Sequence, residues 1–480
     1  MDERLKPTLR STAYQFTFGI IAGLGGMTSG CWLAWPAAAI KPYKEGTPGF
    51  KVKISEISTL VALMDFGNFV TPIPSSYVMN AIGRKLTLFA TAMLYIAASI
   101  CGLVAYNVIW LYFARIFAGL AKGIAFTVIP IYLAEVANIE IRGALSTMFI
   151  GFLNFGMFYD YALGPFMELT PLDIANLAVP LVFTAGFFFF PESPYYLLMK
   201  GKVASARKSL VSYRQVRKND TSANTLLDNE FTRMQATVEN DMKNKARFVD
   251  LFLTASSRRA LLIISALALF QRASGISPTI AYSTEIMPKK GGGLSSNVYL
   301  ILFSFVLLIA NYAALPLIDY WGRKPLLIVS SVTTALTTLT ASVYYYLERE
   351  TNVDVTNIQW IPYACLLIFA TTYSIGIGFI PSTLVGELFP TNVKCYAGSI
   401  SAIILAATSF SMNKLFYEVS MFYGPHYMYW FFTTACVGCC IFTIFLVFET
   451  KGKSFDEIQD ILHQIVDRQR PKAQKTSTKD

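Results

Sequence analysis

The sequence predicts an all-α membrane protein: twelve transmembrane helices in two pseudo-symmetric six-helix bundles, with cytoplasmic linker helices between them. Three observations predict it. Hydrophobic residues make up 54% of the chain and charged residues only 15%, against about 25% charged in soluble domains. The apolar residues fall in runs near the roughly 20 residues that span a bilayer core. A set of short polar motifs then occurs twice, in the same order, at the ends of corresponding runs.

The expected spans are 14–36, 56–79, 86–106, 108–134, 144–164, 172–190, 260–284, 297–318, 326–347, 361–385, 396–417 and 427–448. They divide the chain into a tail (1–13), an N-terminal bundle (14–199), a linker (200–258), a C-terminal bundle (259–449) and a second tail (450–480). In the linker, Leu226, Leu227, Phe231, Met234 and Val238 recur at helical spacing, the pattern of amphipathic helices. The N-terminus has no signal-peptide cleavage pattern, so the first span is expected to stay as a helix.

A formal charge of +10 can signal nucleic-acid binding. Here the basic residues sit in alternate loops beside apolar spans, so the partner they imply is the lipid bilayer and not nucleic acid. Arg84, Lys85, Arg142, the 200–259 stretch, Arg323, Lys324, Lys394 and the tail from Lys451 mark one side as cytoplasmic, with both termini on it. Lys41, Lys44, Lys51 and Lys53, in the first outer loop, run against this bias. Six of the seven cysteines lie in apolar runs, and Cys436, Cys439 and Cys440 lack the paired spacing and histidines of a zinc site. No metal or cofactor is expected. With two histidines, no phosphate-binding glycine loop and no nucleophile beside a base, the chain does not read as an enzyme.

The duplicated motifs are specific. Ile82-Gly83-Arg84-Lys85 closes the second span and Trp321-Gly322-Arg323-Lys324 the eighth. Glu135 precedes Arg142 by the same interval as Glu387 precedes Lys394. Pro191-Glu192-Ser193-Pro194 ends the sixth span, and Phe448-Glu449-Thr450-Lys451 the twelfth. Together with QRASGI, Tyr282 and GELFP, these segments resemble the sugar porters of the major facilitator superfamily over almost the whole chain. Details such as RGALSTMF and PESPYYLLMKGK resemble the insect facilitated trehalose transporter-like branch.

The resemblance implies a major facilitator fold that carries a sugar, trehalose or a hexose, by alternating access as a uniporter in the cell membrane. It also implies a cytoplasmic gate made of Arg84, Glu135, Arg142, Glu192, Arg323, Glu387 and Glu449, with Lys394 in place of the usual arginine. Asn80 and Tyr195 each replace a charged residue of the family pattern.

At the expected solute site only Gln271 matches the family's amides. Arg272, Ser277, Ser382, Leu405, Ala406 and Ile150 stand where the family has glutamine, asparagine or tryptophan. Ser274, Ser277, Tyr282, Asn154, Ser382, Thr383 and Asn413 are the remaining candidates, all equally able to serve helix packing. Gly376, Gly378 and Pro381 allow a break in the tenth span.

Four intramembrane charges remain: Asp65, Arg115, Lys122 and Asp160. Residue counting places Asp65 and Arg115 at one depth and pairs them, which leaves Lys122 for the cavity or for Asp160. The stretch from Gly26 to Pro36 has no carboxylate, which favours facilitated diffusion. A proton-coupled or anion-accepting carrier, or a nutrient sensor that transports nothing, stays open as an alternative.

Overall fold

A computed structural model gives the fold. It describes residues 8–462 apart from 139, 217–219, 244–247, 289, 292–293, 390 and 454–456. Parts of both expected tails, the linker and the GELFP motif therefore lie outside the described residues, as does His463.

The described chain is helical except for a two-residue antiparallel ladder, β1 (Lys290–Gly291) with β2 (Leu294–Ser295), in one loop. The N-terminal half contains α1 (Leu9–Glu45), α2 (Ile54–Val70), α3 (Pro72–Ile82), α4 (Arg84–Leu103), α5 (Val108–Val136), α6 (Arg142–Leu163) and α7 (Leu169–Phe187). Next come α8 (Pro194–Met199), α9 (Val203–Arg214), α10 (Thr221–Lys243) and α11 (Asp250–Leu253). The C-terminal half contains α12 (Ala255–Ala273), α13 (Ile276–Ile286), α14 (Ser296–Trp321), α15 (Arg323–Glu350), α16 (Ile361–Ile375), α17 (Ile380–Leu388), α18 (Thr391–Phe422) and α19 (Pro425–Leu446).

Ten helical stretches among the described residues are long and apolar enough to cross a membrane. The other two passes are α2–α3 and α6. Pro72 follows Thr71 and has no N–H to continue the ladder, so the second pass bends into two short helices. The α6 helix carries Arg142, Asn154 and Asp160 along an otherwise apolar span. The passes alternate in direction, so every linker helix and both GRK turns fall at one end of the bundles, called here the linker face. Large apolar side chains such as Met93, Leu262, Leu336 and Phe445 stay exposed along the helices, as a lipid-facing surface requires.

Within the N-terminal half the helices approach closely through glycines. A Cβ on Gly30 or Gly156 of the α1–α6 pair would collide with the carbonyl oxygen of Leu153 or Met27. Gly67 and Gly119 do the same between α2 and α5, against Ile116 and Met64. Small residues at such crossings let dispersion act between backbones in lipid, where there is no hydrophobic drive between helices.

Two other passes are interrupted near their middle. The α12–α13 pass breaks at Gly275, whose φ of 94° is left-handed and whose added Cβ would strike the Phe432 ring. The α16–α17 pass opens between Ile375 and Ile380, around Gly376 and Gly378, and Pro381 falls in the first turn of α17. The backbone groups freed there are satisfied by neighbours: Ile377 N–H donates to Ser330 Oγ at 3.1 Å, and Gln271 Nε2 donates to the Gly378 carbonyl at 2.6 Å.

The linker packs on the N-terminal half. Leu227, Phe231 and Val238 of α10 are buried against α8 and α9, which matches the helical spacing read from the sequence. Arg214 Nη1 donates to the Val136 carbonyl at 2.8 Å, and Gln15 Nε2 donates to the Tyr213 carbonyl at 3.1 Å.

Candidate functional site: a central cavity between two bundles

A cavity of about 1110 Å³ lies between the halves, lined from α2, α3, α5, α17 and α18 and floored by α10. It runs from Lys122 and Arg272, near the middle of the bundles, to Arg142, Tyr195 and Arg233 at the linker face.

The opposite end is sealed by contacts that all cross between halves. Lys44 Nζ lies 2.5 Å from Glu285 Oε2, which accounts for one of the lysines that ran against the charge bias. Ser58 Oγ donates to Glu418 at 2.7 Å, and Lys414 Nζ donates to Thr59 Oγ1 at 2.7 Å. Tyr161 donates to the Ile280 carbonyl at 2.5 Å and Thr284 to that of Ala37 at 2.9 Å. Deepest in the seal, Asp65 Oδ2 accepts from Ser409 Oγ at 2.8 Å and from Asn413 Nδ2 at 2.7 Å.

The expected pairing of Arg115 with Asp65 is corrected. Asp65 Oδ1 faces Lys122 Nζ at 3.5 Å. Arg115 instead donates to the carbonyls of Trp32 at 2.5 Å, Leu60 at 3.2 Å and Val61 at 3.4 Å. The reason is side-chain direction. Helical side chains lean toward the helix N-terminus, so on α5 Arg115 reaches a turn beyond Asp65 while Lys122 leans back to its depth. Asp160 also meets another partner, accepting from Asn176 Nδ2 at 2.8 Å.

The candidate solute residues separate by location. Ser382 lines the cavity and donates to the Phe379 carbonyl at 2.7 Å. Thr383 lies beside it and donates to the same carbonyl at 3.4 Å. Gln271 and Ser274 spend their donors on backbone carbonyls at the two helix breaks. Tyr282 is fully buried, donates to the Asn413 carbonyl at 3.0 Å and stacks on Tyr417. Ser277 Oγ accepts from Arg272 Nη1 at 3.1 Å and lies 2.9 Å from Ser409 Oγ, to which it donates because the Ser409 proton goes to Asp65. Asn154 is buried in α6, its Nδ2 without a partner among the described residues.

Sequence reasoning did not single out Ser409, Asn68 or Ser76. Ser409 shares a helical face with Asn413 four residues on, a signal that was readable. Since Gln271 holds the Gly378 carbonyl, Gln271→Ala leaves that half-buried acceptor without its side-chain partner. A loss of about 1 kcal/mol is expected, measured as reduced unfolding free energy in detergent.

The gate motifs form two matching latches, one in each half. Arg84 Nη2 meets Glu135 Oε1 at 2.7 Å and Arg323 Nη2 meets Glu387 Oε1 at 2.8 Å. Ser193 Oγ donates to Glu135, and Thr450 Oγ1 donates to Glu387 at 2.5 Å. Glu192 accepts the backbone N–H groups of Arg84 and Lys85, and Glu449 those of Arg323 and Lys324. Gly83 (φ 102°) and Gly322 (φ 92°) make this possible, since a Cβ at either would strike the glutamate. Lys85 Nζ caps the Phe188 and Phe190 carbonyls, and Lys324 Nζ caps that of Ile444. Arg142 and Lys394 are exposed on the cavity wall. Among the described residues, no ion pair joins the two halves at the linker face.

The latches differ in acidity. Burial pushes the Glu192 carboxyl above its ordinary value, against the opposing backbone N–H groups of Ser193, Lys85 and Arg84. At Glu449 burial also raises, but four backbone N–H groups (Lys451, Arg323, Lys324 and Thr450) outweigh it and hold the carboxyl below. A lowered carboxyl contributes stability above its unfolded value that is lost as pH falls through the folded one. A raised carboxyl is instead relieved of its burial penalty on acidification. Lowering pH from about 7 to about 3 is therefore expected to reduce amide protection, after correction for the slower intrinsic exchange in acid, more at Arg323-Lys324 than at Arg84-Lys85. An equal or reversed change in protection contradicts this.

Two similar six-pass halves, latched alike and enclosing a cavity open at one end, define a carrier-type membrane protein. The chain belongs to the sugar (and other) transporter family, whose model matches residues 8–462. It is similar to the facilitated trehalose transporter Tret1 of Bombyx mori, 32% identical over 408 residues, covering 84% of this chain and 78% of that one. The Tret1 of Polypedilum vanderplanki is 31% identical over 448 residues, covering 93% and 87%. Among solved structures, the inward-open xylose transporter XylE from E. coli matches with a TM-score of 0.76 at 19% identity, covering 93% of this chain and 99% of that one. A second structure, the proton:xylose symporter XylE bound to 6-bromo-6-deoxy-D-glucose, matches with a TM-score of 0.72 at 20% identity, covering 94% and 100%.

Proposed function

We propose that the protein carries a sugar, a hexose or the disaccharide trehalose, across the cell membrane by facilitated diffusion. The observation that carries this reading is the central cavity, open at the linker face and sealed opposite by cross-half contacts. Its volume of about 1110 Å³ exceeds the about 300–1,000 Å³ that holds a drug-sized ligand, so a disaccharide fits. The names of the curated relatives support both the solute class and transport without a coupled ion.

In this reading the linker face is cytoplasmic, as the basic-loop bias and the inward-open neighbour support, and both termini lie there. Residues 14–199 and 259–449 rock against each other as two bodies joined by 200–258. Closing the linker face brings Arg142 and Lys394 into reach of the opposite half's glutamates, while the seal around Asp65 parts. No bond of the solute is made or broken, so the protein is a carrier and not an enzyme.

The test is counterflow of radiolabelled trehalose and glucose in proteoliposomes. Saturable exchange is expected, unchanged by a proton ionophore and by external pH. Uptake that collapses with the ionophore would replace facilitated diffusion by proton coupling. In the same assay Gln271→Ala is expected to slow exchange, because the break in α16–α17 loses its anchor.

A further inference from the structure

The closed end of the cavity holds more positive charge than a neutral sugar can use. Lys122 and Arg272 both line it; Lys122 faces Asp65, and Arg272 is joined to the same carboxylate only through Ser277 and Ser409. Lys122 is 3% exposed and carries three N–H donors. The 3.5 Å to Asp65 is long beside the about 2.7–2.9 Å of a charge-assisted hydrogen bond. The other oxygen of Asp65 is already taken by Ser409 and Asn413. Arg272 donates from Nη1 to Ser277 at 3.1 Å, while its Nε is buried and has no partner among the described residues.

Two cations therefore share this end of the cavity with one carboxylate, and both have donors to spare. Sugar hydroxyls can accept hydrogen bonds but cannot balance the remaining charge, and a buried unbalanced cation is costly. A carboxylate supplies both acceptors and charge, and its planar pair of oxygens suits the guanidinium fork. Toward the mouth the lining turns to neutral polar groups, Asn68, Ser76, Ser382 and Ser399, which suit ring hydroxyls. Nearer the linker face Glu135 and Glu230 are paired with Arg84 and Arg214, and Arg142, Arg233 and Lys394 outnumber Glu140, a net positive lining that draws anions inward.

We propose that this carrier's preferred solute is a sugar bearing a single carboxylate, a hexuronate or sugar acid, whose carboxylate binds between Lys122 and Arg272. The proposal rests on the sugar-carrier reading above and goes beyond its neutral solutes to an acidic sugar. One carboxylate matches the one positive charge left over; a phosphate monoester, carrying nearly two negative charges at neutral pH, exceeds it.

The test uses the full-length protein in proteoliposomes with radiolabelled D-glucuronate, D-glucose, trehalose and D-glucose 6-phosphate. Saturable glucuronate uptake is expected, with glucuronate displacing glucose at concentrations at least about tenfold lower than glucose itself requires. An inside-positive potassium diffusion potential should accelerate glucuronate entry. Arg272→Gln should lower the glucuronate-to-glucose uptake ratio by about tenfold or more, and Arg272→Lys by less.

Neutral-sugar uptake that glucuronate neither competes with nor accompanies would overturn the proposal while leaving the carrier reading intact. So would a ratio that Arg272→Gln leaves unchanged, or preferential entry of glucose 6-phosphate. If no sugar of any charge crosses, the carrier reading itself fails, and the proposal with it. Should Arg272→Gln not fold, competition in the unmodified protein still decides.

Discussion

Replacing Lys122 by methionine is expected to destabilise the protein by about 3–5 kcal/mol, the usual cost of stripping the partner from a buried charge. Lys122 and Asp65 are both nearly inaccessible, 3% and 4% exposed. Without the ammonium, Asp65 keeps its bonds from Ser409 and Asn413 but loses its one ion pair among the described residues. Adding Asp65→Asn to Lys122→Met should recover most of the loss, since an amide oxygen still accepts from Ser409 and no charge is stranded. A double-mutant cycle of unfolding free energies in mixed micelles measures this. Additive losses would mean that the two residues are not coupled.

Gly30→Leu is expected to be at least as damaging. Even the Cβ of a substituted residue would overlap the Leu153 carbonyl and press within 2.9 Å of the Met157 nitrogen. Those atoms are backbone and cannot rotate away, so α1 and α6 must separate along their length. Overpacking ordinarily costs about 1–3 kcal/mol, and here a whole helix pair is displaced, so the variant should fail to run as a monodisperse peak in detergent. Gly143→Ala is the control: a Cβ there meets nothing within 4 Å, and its profile should match the unmodified protein.

The architecture was legible because it is written in local patterns. Apolar runs gave the passes, and the paired Gly-Arg-Lys turns and glutamates gave two halves, since each motif needs the others at fixed places. Gly83 must be glycine to seat Glu192, just as Gly322 must be to seat Glu449. The bend after Thr71 was written in Pro72, yet the second pass was read as one continuous span.

The centre was less legible because its partners come from distant segments. Counting along helices put Asp65 and Arg115 at one depth but took no account of the lean of side chains, so the pair was misassigned to Arg115 in place of Lys122. Gln271 drew attention as an amide that could meet a sugar. Its anchoring of the Gly378 carbonyl depends on a break whose position only the folded α16–α17 pass reveals. Arg272 was visible as a cation in place of an amide. That its Nε would have no partner among the described residues at a cavity's end was not.

The central claim is that the two halves rock around the cavity, so holding the sealed end shut must stop transport. Lys44 and Glu285, 2.5 Å apart across that end, mark where to hold it. The measurement is sugar counterflow by the Lys44→Cys/Glu285→Cys variant, with Cys395 and Cys440 replaced by serine, before and after bridging by a short reducible dithiol crosslinker. The account predicts that crosslinking abolishes flux and that reduction restores it. Undiminished flux through the crosslinked protein would contradict it.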